Sequence, residues 1–283
     1  MEKIESFLSI VENYKAVFLD SYGVLKNFRG LIEGVQETLD FIQDRGIEFR
    51  ILTNDASRSQ EQQSESFTRL GLQGIPPEKI VTSGMMAKQY LQLKIKGGKV
   101  AYLGTANAAH YIMQANLESV AIADLDKHDL DDIKAMVFLD DEGFDWNYDI
   151  NKTVNLIRKK NMPIIVANSD NLYPVAKNDV SIATGAIAKL VESIINKKFI
   201  HFGKPDTQMF NFAFDDLNSN GRAFNKEEIL MVGDTLHTDI LGGNKFGVKT
   251  VLVLSGNTTP GEVEMNIRSS GIIPDYICES IVG

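Results

Sequence analysis

Seven runs of strand type punctuate the chain: "KAVFLD", "IEFRILT", "KVAYLG", "AMVFLD", "PIIVAN", "ILMVGD" and "KTVLVLS". Each lies near the usual strand length of about five or six residues. Segments of helical period separate them, such as "EGVQETLDFIQDRG", closed by Gly46. This alternation predicts a doubly wound, mostly parallel α/β protein. The runs end in Asp, Thr, Asn, Gly or Ser, and in open α/β sheets ligands bind in the crevice at the carboxyl ends of strands.

Four polar positions at such ends stand out: Asp20, Thr53, Lys204 just after "FIHFG", and Asp234. They fall before about residue 55 or after residue 200, which implies a core assembled from both ends of the chain. The expected organisation is a core of residues 1–74 plus 200–283, with an α/β domain of residues 75–199 inserted between them. The Gly/Pro stretch "GLQGIPPE" and the short polar bridge "NKKF" are the expected joints.

Composition narrows the function. A chain of 283 residues that is 43% hydrophobic can bury a large core and exceeds the usual single domain. Its net charge of −9 argues against nucleic acid and against anionic membrane surfaces, both of which bind through clustered Lys and Arg. No apolar run approaches the roughly 20 residues that cross a bilayer. The start "MEKIESFLSIVENYK" is interrupted by Glu5 and Glu12, unlike a signal peptide, so a cytoplasmic protein is expected. The lone cysteine, Cys278, cannot form an internal disulfide and reads as a small buried hydrophobe. Acids concentrate in "ESVAIADLDKHDLDDIKAMVFLDDEGFDWNYD". There Asp124, Asp126 and His128 imitate a calcium loop but lack its sixth-position glycine, and a solvated acidic face is expected instead.

The strand endings together carry chemistry. A carboxylate, a hydroxyl, an ammonium and an acidic pair suit magnesium-dependent phosphoryl transfer through a covalent aspartyl intermediate. Asp20 would attack phosphorus, Thr53 and the backbone at Asn54 would hold the phosphoryl oxygens, and Lys204 would offset charge. The stretch "GDTLHTD" sets Asp234 and Asp239 five residues apart at a strand-to-helix turn. One can touch a hard cation while the other holds its waters. Taken singly, each of these residues is more often a cap or a turn former; their order along the chain is what points to a site.

The chain resembles the haloacid dehalogenase (HAD) superfamily of phosphohydrolases, in the branch of NagD-like and 4-nitrophenyl phosphatases. "FLDSYGVL", "ILTNDASRS", "FGKPDTQMF" and "MVGDTLHTDILGGNKFGVKTVLVLSG" match its four motifs, the last most specifically. "VTSGMMAKQYL", "AYLGT", "VFLDD" and "PIIVANSDNLYP" are similar to this branch's large cap. The resemblance implies a Rossmann-like core with a C2-type α/β cap, and a magnesium-dependent phosphatase acting on a small phosphorylated metabolite. It implies Asp20 as nucleophile, Thr53 as the second-motif hydroxyl, Lys204 as the third-motif lysine and Asp234 as a metal ligand. The backbone carbonyl at Tyr22 would be a further ligand. Asn168 and Asp170, in "VANSDNLYP", would lie over the active site, and a homodimer through the cap is compatible with the family.

Position 22 departs from the family pattern. Most of its phosphatases carry a second aspartate there, which protonates the leaving oxygen and then activates water. A phenol, with an ordinary pKa of about 10, is a poor base at neutral pH, and losing a positioned acid/base costs about 10²- to 10⁴-fold. Slow turnover is therefore expected. The alternative is a non-catalytic phosphate-ligand sensor on the same fold. A dehalogenase ranks third, because the acids Asp234 and Asp239 are retained and only one helix fits between Asp20 and Thr53. A second departure, Asp55, is expected to cap a helix beginning near Ser57 rather than to face phosphate. Arg58 and His237 are candidates for substrate contact; His110, His128 and His201 lack metal-like spacing and read as structural. A dinucleotide-binding dehydrogenase is disfavoured, since "YLGTANAAHY" has a single glycine where that fold needs three.

Overall fold

The structure is a computed structural model and describes residues 1–125, 130–176, 179–219 and 221–282. The strands along the first part of the chain are β1 (Glu2–Lys3), β2 (Ala16–Leu19), β3 (Lys26–Asn27), β4 (Gly30–Leu31), β5 (Glu48–Thr53) and β6 (Ile80–Thr82). The middle holds β7 (Lys99–Leu103), β8 (Glu118–Ala121), β9 (Ile133–Phe138), β10 (Ile164–Val166), β11 (Leu172–Pro174), β12 (Val180–Ile182) and β13 (Ile200–His201). The last three are β14 (Ile229–Gly233), β15 (Lys249–Val253) and β16 (Tyr276–Cys278).

Seven strands form one sheet in the order β1-β16-β15-β14-β2-β5-β6, every pair parallel. Five form a second parallel sheet, β13-β10-β9-β7-β8. Two small antiparallel hairpins, β3–β4 and β11–β12, stand apart from both. The seven strand-type runs all become strands of the two large sheets. Buried strands flanked by helices on both faces read as near-continuous apolar runs, and β2 is buried throughout.

Strand order brings the site together. β2 lies between β14 and β5, with Leu19 opposite both Val232 and Ile51. The Asp20 N–H donates to the Val232 carbonyl at 2.9 Å. Asp20, Thr53 and Asp234 therefore leave three neighbouring strands at the same edge, the carboxyl end of the sheet.

Sheet membership differs from the expected joints. β6 lies beyond residue 75, yet it pairs with β5, Ile80 opposite Ile51, in the larger sheet. "GLQGIPPE" is thus a turn into a core strand, with Pro77 opening a short 3₁₀ turn. At the other joint, β13 pairs with β10 in the smaller sheet, so the inserted sheet keeps His201.

The acidic stretch is only partly solvated. Asp124, Asp131 and Asp132 are exposed, whereas Asp140 and Asp141 turn into a cavity. Asp126 and His128, the other members of the calcium-like spacing, lie outside the described residues. Among the described residues no helix is long and apolar enough to cross a membrane.

Apolar side chains pack on both faces of the larger sheet, Val17 and Leu19 on one and Ala16 and Phe18 on the other. The second of these clusters does not stop at the sheet. It runs through Met85, Met86, Tyr111 and Phe202 to Val100, Tyr102, Val137 and Ile165 of the smaller sheet. The two sheets thus share one continuous apolar cluster.

Candidate active site

Asp20, Asp234 and Asp239 are buried, and one carboxylate oxygen from each lies within 4.8 Å of the others. The Lys204 ammonium sits among them, 2.5 Å from Asp20 Oδ1 and 2.7 Å from Asp239 Oδ1. The first contact is a hydrogen bond; the second is off-line, leaving Asp239 Oδ1 buried without an aligned donor. Burial, with Asp239 and Asp234 adding to it against the pull of Lys204, drives the Asp20 carboxyl well above its ordinary range. Burial and the neighbouring Asp239 push Asp234 up as well. Burial alone would lower Lys204, but Asp20 and Asp239 outweigh it and hold the ammonium above the usual lysine value.

Local backbone accounts for this crowding. Asp234 Oδ2 accepts the Asn257 N–H at 2.6 Å and Oδ1 accepts the Thr235 hydroxyl at 2.8 Å. Asp239 lies in a π-helical turn, Leu236–Ile240, and its Oδ2 accepts the Thr235 N–H at 3.0 Å. A Cβ on Gly23 or on Gly256 would run into the Asp234 carboxylate, and Gly23 also has a φ of +79°. Only glycine allows those two loops to approach the acid so closely.

These residues fit a divalent cation. Three carboxyl groups face a single ammonium in a buried space, an excess of acid that a cation would balance, and Asp239 Oδ1 lacks an aligned donor. Oxygen-only donors suit a hard cation such as magnesium. No donor among the described residues occupies the Tyr22 carbonyl.

Thr53 ends β5, and its hydroxyl accepts the Asp55 N–H at 3.2 Å. Asn54 has a use that its sequence position did not announce. Its side chain accepts the Lys204 N–H at 2.7 Å and donates to the Lys204 carbonyl at 3.0 Å and to Asp170 Oδ1 at 2.8 Å. It is a bracket that fixes the lysine loop and ties it to the insert. Asn168 and Asp170 do line the cavity, but Asn168 Oδ1 is engaged by the Asp170 N–H in its own turn. Ser169 adds a second tie, its hydroxyl donating to the Phe202 carbonyl at 2.7 Å.

Tyr22 is half-buried, and its hydroxyl donates to the Pro174 carbonyl, 2.9 Å away on β11. Burial and, further off, Asp234 hold the phenol above its ordinary pKa. The expected helix cap at Asp55 is corrected. The helix is Gln60–Arg69, capped by Ser59, whose hydroxyl accepts the Gln62 N–H while Gln62 reaches back to Ser59. Asp55 instead closes the preceding turn, accepting from Ser57 N–H and hydroxyl, from Arg58 and from Gln63 at 2.6–3.2 Å. It faces donors of its own chain rather than a ligand.

Arg58 and His237 are exposed at the cavity wall. His110 Nδ1 lies 2.7 Å from the Asn107 carbonyl and His201 lies 3.3 Å from Glu192, so neither approaches the acids; His128 is outside the described residues. Cys278 is buried against the Ser280 carbonyl, which it contacts at 3.2 Å, and burial pushes its thiol up to about 12. The cavity, about 1030 Å³, also receives Lys26, Asp140, Asp141 and Tyr173, none of which stands out by sequence spacing. Asp141 accepts the Tyr173 hydroxyl at 2.9 Å and Asp140 the Thr105 hydroxyl at 2.9 Å, and burial raises both carboxyls.

Residues 17–118 match a family described as haloacid dehalogenase-like hydrolase, and residues 201–282 match one described as HAD-hydrolase-like. A crystal structure from Cytophaga hutchinsonii, described as a possible sugar phosphatase of the HAD superfamily, aligns with a TM-score of 0.96 at 52% identity. That match covers 100% of this chain and 99% of the other. NagD from E. coli K-12 shares the fold, with a TM-score of 0.75 at 24% identity over 95% of this chain and 97% of its own. Glycerol-3-phosphate phosphatase of Gallus gallus is 27% identical over 98% of this chain and 93% of its own length. Chronophin of Mus musculus is 26% identical over 94% and 90% respectively. Matched at both ends of the sequence and along its whole length, the chain belongs to the haloacid dehalogenase-like hydrolase family.

Proposed function

We propose that the protein is a magnesium-dependent phosphatase that hydrolyses a small organic phosphate monoester through an aspartyl phosphate on Asp20. The observation that carries this reading is the buried group of Asp20, Asp234, Asp239 and Lys204 at the carboxyl edge of the larger sheet. Magnesium, held by Asp20, Asp234 and the Tyr22 carbonyl with Asp239 behind, would offset phosphoryl charge and orient the ester. An Asp20 oxygen forms the new bond to phosphorus while the bond from phosphorus to the leaving oxygen breaks. Lys204 holds Asp20 in place and counters the charge that builds on the phosphoryl oxygens. Thr53 and the backbone at Asn54 receive those oxygens. Water then cleaves the aspartyl phosphate and releases inorganic phosphate.

No aspartate stands at position 22 to give the leaving oxygen a proton. The Tyr22 phenol is donated to the Pro174 carbonyl and its pKa is raised, so it is a poor base for the water step. Turnover is slow, and substrates whose leaving group departs without a proton, such as aryl phosphate esters and acyl phosphates, are favoured. The test is a panel of aryl, acyl and sugar phosphates with and without magnesium. Phosphate release that needs magnesium and disappears in Asp20→Asn supports the reading; no release from any ester overturns it.

The same contact at Tyr22 favours a second reading, a phosphate-ligand sensor that keeps the pocket without turning over. Magnesium-dependent binding of an ester that survives intact would distinguish it. Dehalogenation ranks third and would appear as chelator-resistant halide release. The inserted domain serves as the cap, and exposed Leu172, Val180 and Ile182 on its β11–β12 hairpin, with Leu190 and Ile194 on the helix Thr184–Ile195, support a homodimer, checked by sedimentation velocity.

A further inference from the structure

Among the described residues, four Lys and Arg side chains line the cavity: Lys26, Arg58, Lys189 and Lys204. Three have partners. Lys204 is held by Asp20 and Asp239, Arg58 contacts Asp55 at 3.2 Å, and Lys189 donates to Asn171 at 2.8 Å. Lys26 has no acid within ion-pair reach and no hydrogen-bond partner among the described residues; its ammonium stands 5.3 Å from the centre of the Phe67 ring. A ring face attracts the ammonium but supplies neither a counter-charge nor an aligned hydrogen-bond acceptor.

The acids nearest in influence do not complete it. Asp55 attracts Lys26, but its two oxygens already accept from Ser57, Arg58 and Gln63. Asp20 is held by Lys204. On the loop after β9, Asp140 and Asp141 accept from Thr105 and Tyr173. Burial accordingly keeps the Lys26 ammonium below the usual lysine range despite the attraction of Asp55. A partly buried, uncompensated charge is unfavourable until a counter-ion arrives.

The position of Lys26 is also fixed. Its N–H donates to the Ser21 carbonyl at 3.2 Å and its carbonyl accepts the Gly23 N–H at 2.7 Å. It pairs with Leu31 in the β3–β4 hairpin. The ammonium therefore projects from the same loop that follows Asp20, on a stem anchored at both backbone groups.

We propose that Lys26 is a specificity-determining residue that receives a second negative group on the organic part of the substrate. The site then prefers phosphomonoesters that also carry a carboxylate or another phosphate over neutral ones of the same size. The inference rests on the phosphatase reading only for where the phosphoryl group sits, and it is tested by binding rather than turnover.

The ligands are 6-phosphogluconate, glucose 1,6-bisphosphate and glucose 6-phosphate, titrated calorimetrically with magnesium into Asp20→Asn protein. The same titrations are made with Lys26→Met, Lys26→Gln or Lys26→Arg added. One or both doubly anionic ligands should bind about 10- to 100-fold tighter than glucose 6-phosphate, the scale of one charged hydrogen bond. Which of them does so tells carboxylate from phosphate. Lys26→Met and Lys26→Gln should bring that ratio near one, and Lys26→Arg should keep most of it. Equal affinities, a ratio unchanged by Lys26→Met and Lys26→Gln, or no binding of any ligand overturns the proposal. Phosphate release by the unaltered protein is scored separately and decides the phosphatase reading alone.

Discussion

A tyrosine two residues after a buried aspartate makes a sharp prediction at the residue scale. Tyr22→Asp restores a carboxyl group where the leaving oxygen needs a proton, and phosphate release should rise by about 10²-fold or more. No gain would show that Tyr22 does not limit the rate. A second prediction concerns Gly256, which lies against Asp234. Gly256→Ala should weaken magnesium binding by about 10- to 100-fold, measured by calorimetry, because displacing a carboxylate ligand costs as much as removing its supports. Asp20, Thr53 and Asp234 were legible in the sequence because each closes an apolar strand run, whereas Lys204 after "FIHFG" and Asp239 in "GDTLHTD" stood out only by their spacing to the others. Lys26, Asp141 and Tyr173 were not legible. Their relevance comes from how the insert folds over the core, and no local spacing encodes that. Asn54 was visible only as a neighbour of Thr53; its bonds to Lys204 and Asp170 span more than 100 positions of sequence.

At the scale of elements, long apolar runs were easy to read and short pieces were not. β1 and β13 have two residues each and β6 and β16 three, too few for any periodicity to register. Because β6 is so short, the Gly/Pro stretch before it reads as a linker, although it is a turn into a strand of the larger sheet. The helix Gln60–Arg69 carries a different lesson. Its cap was written in "SRSQ", yet Asp55 and Ser57 compete for the same role, and the Ser59–Gln62 pair wins because it satisfies two backbone N–H groups at once. Ser59→Ala should lower stability by about 1 kcal/mol in urea unfolding, whereas a change near zero would assign the helix start elsewhere.

For the whole molecule, the apolar cluster spanning both sheets is the governing feature. Phe210 is fully buried in it and stacks near Phe246, with ring centres 5.7 Å apart. Phe210→Ala should cost about 3–5 kcal/mol. A single unfolding transition, followed by probes in either sheet, should report that loss, since the two sheets have no separate cores on that face.

A roof glued to its walls by shared packing does not lift off as a lid. Ser169, Asp170 and Pro174 pin its loop down at three further points, to Phe202, Asn54 and Tyr22. Held so, the cap should keep the cavity to free metabolites and exclude a phosphorylated side chain presented by a folded domain. Offered both, the protein should release phosphate from the free small molecule and leave the folded phosphoprotein untouched.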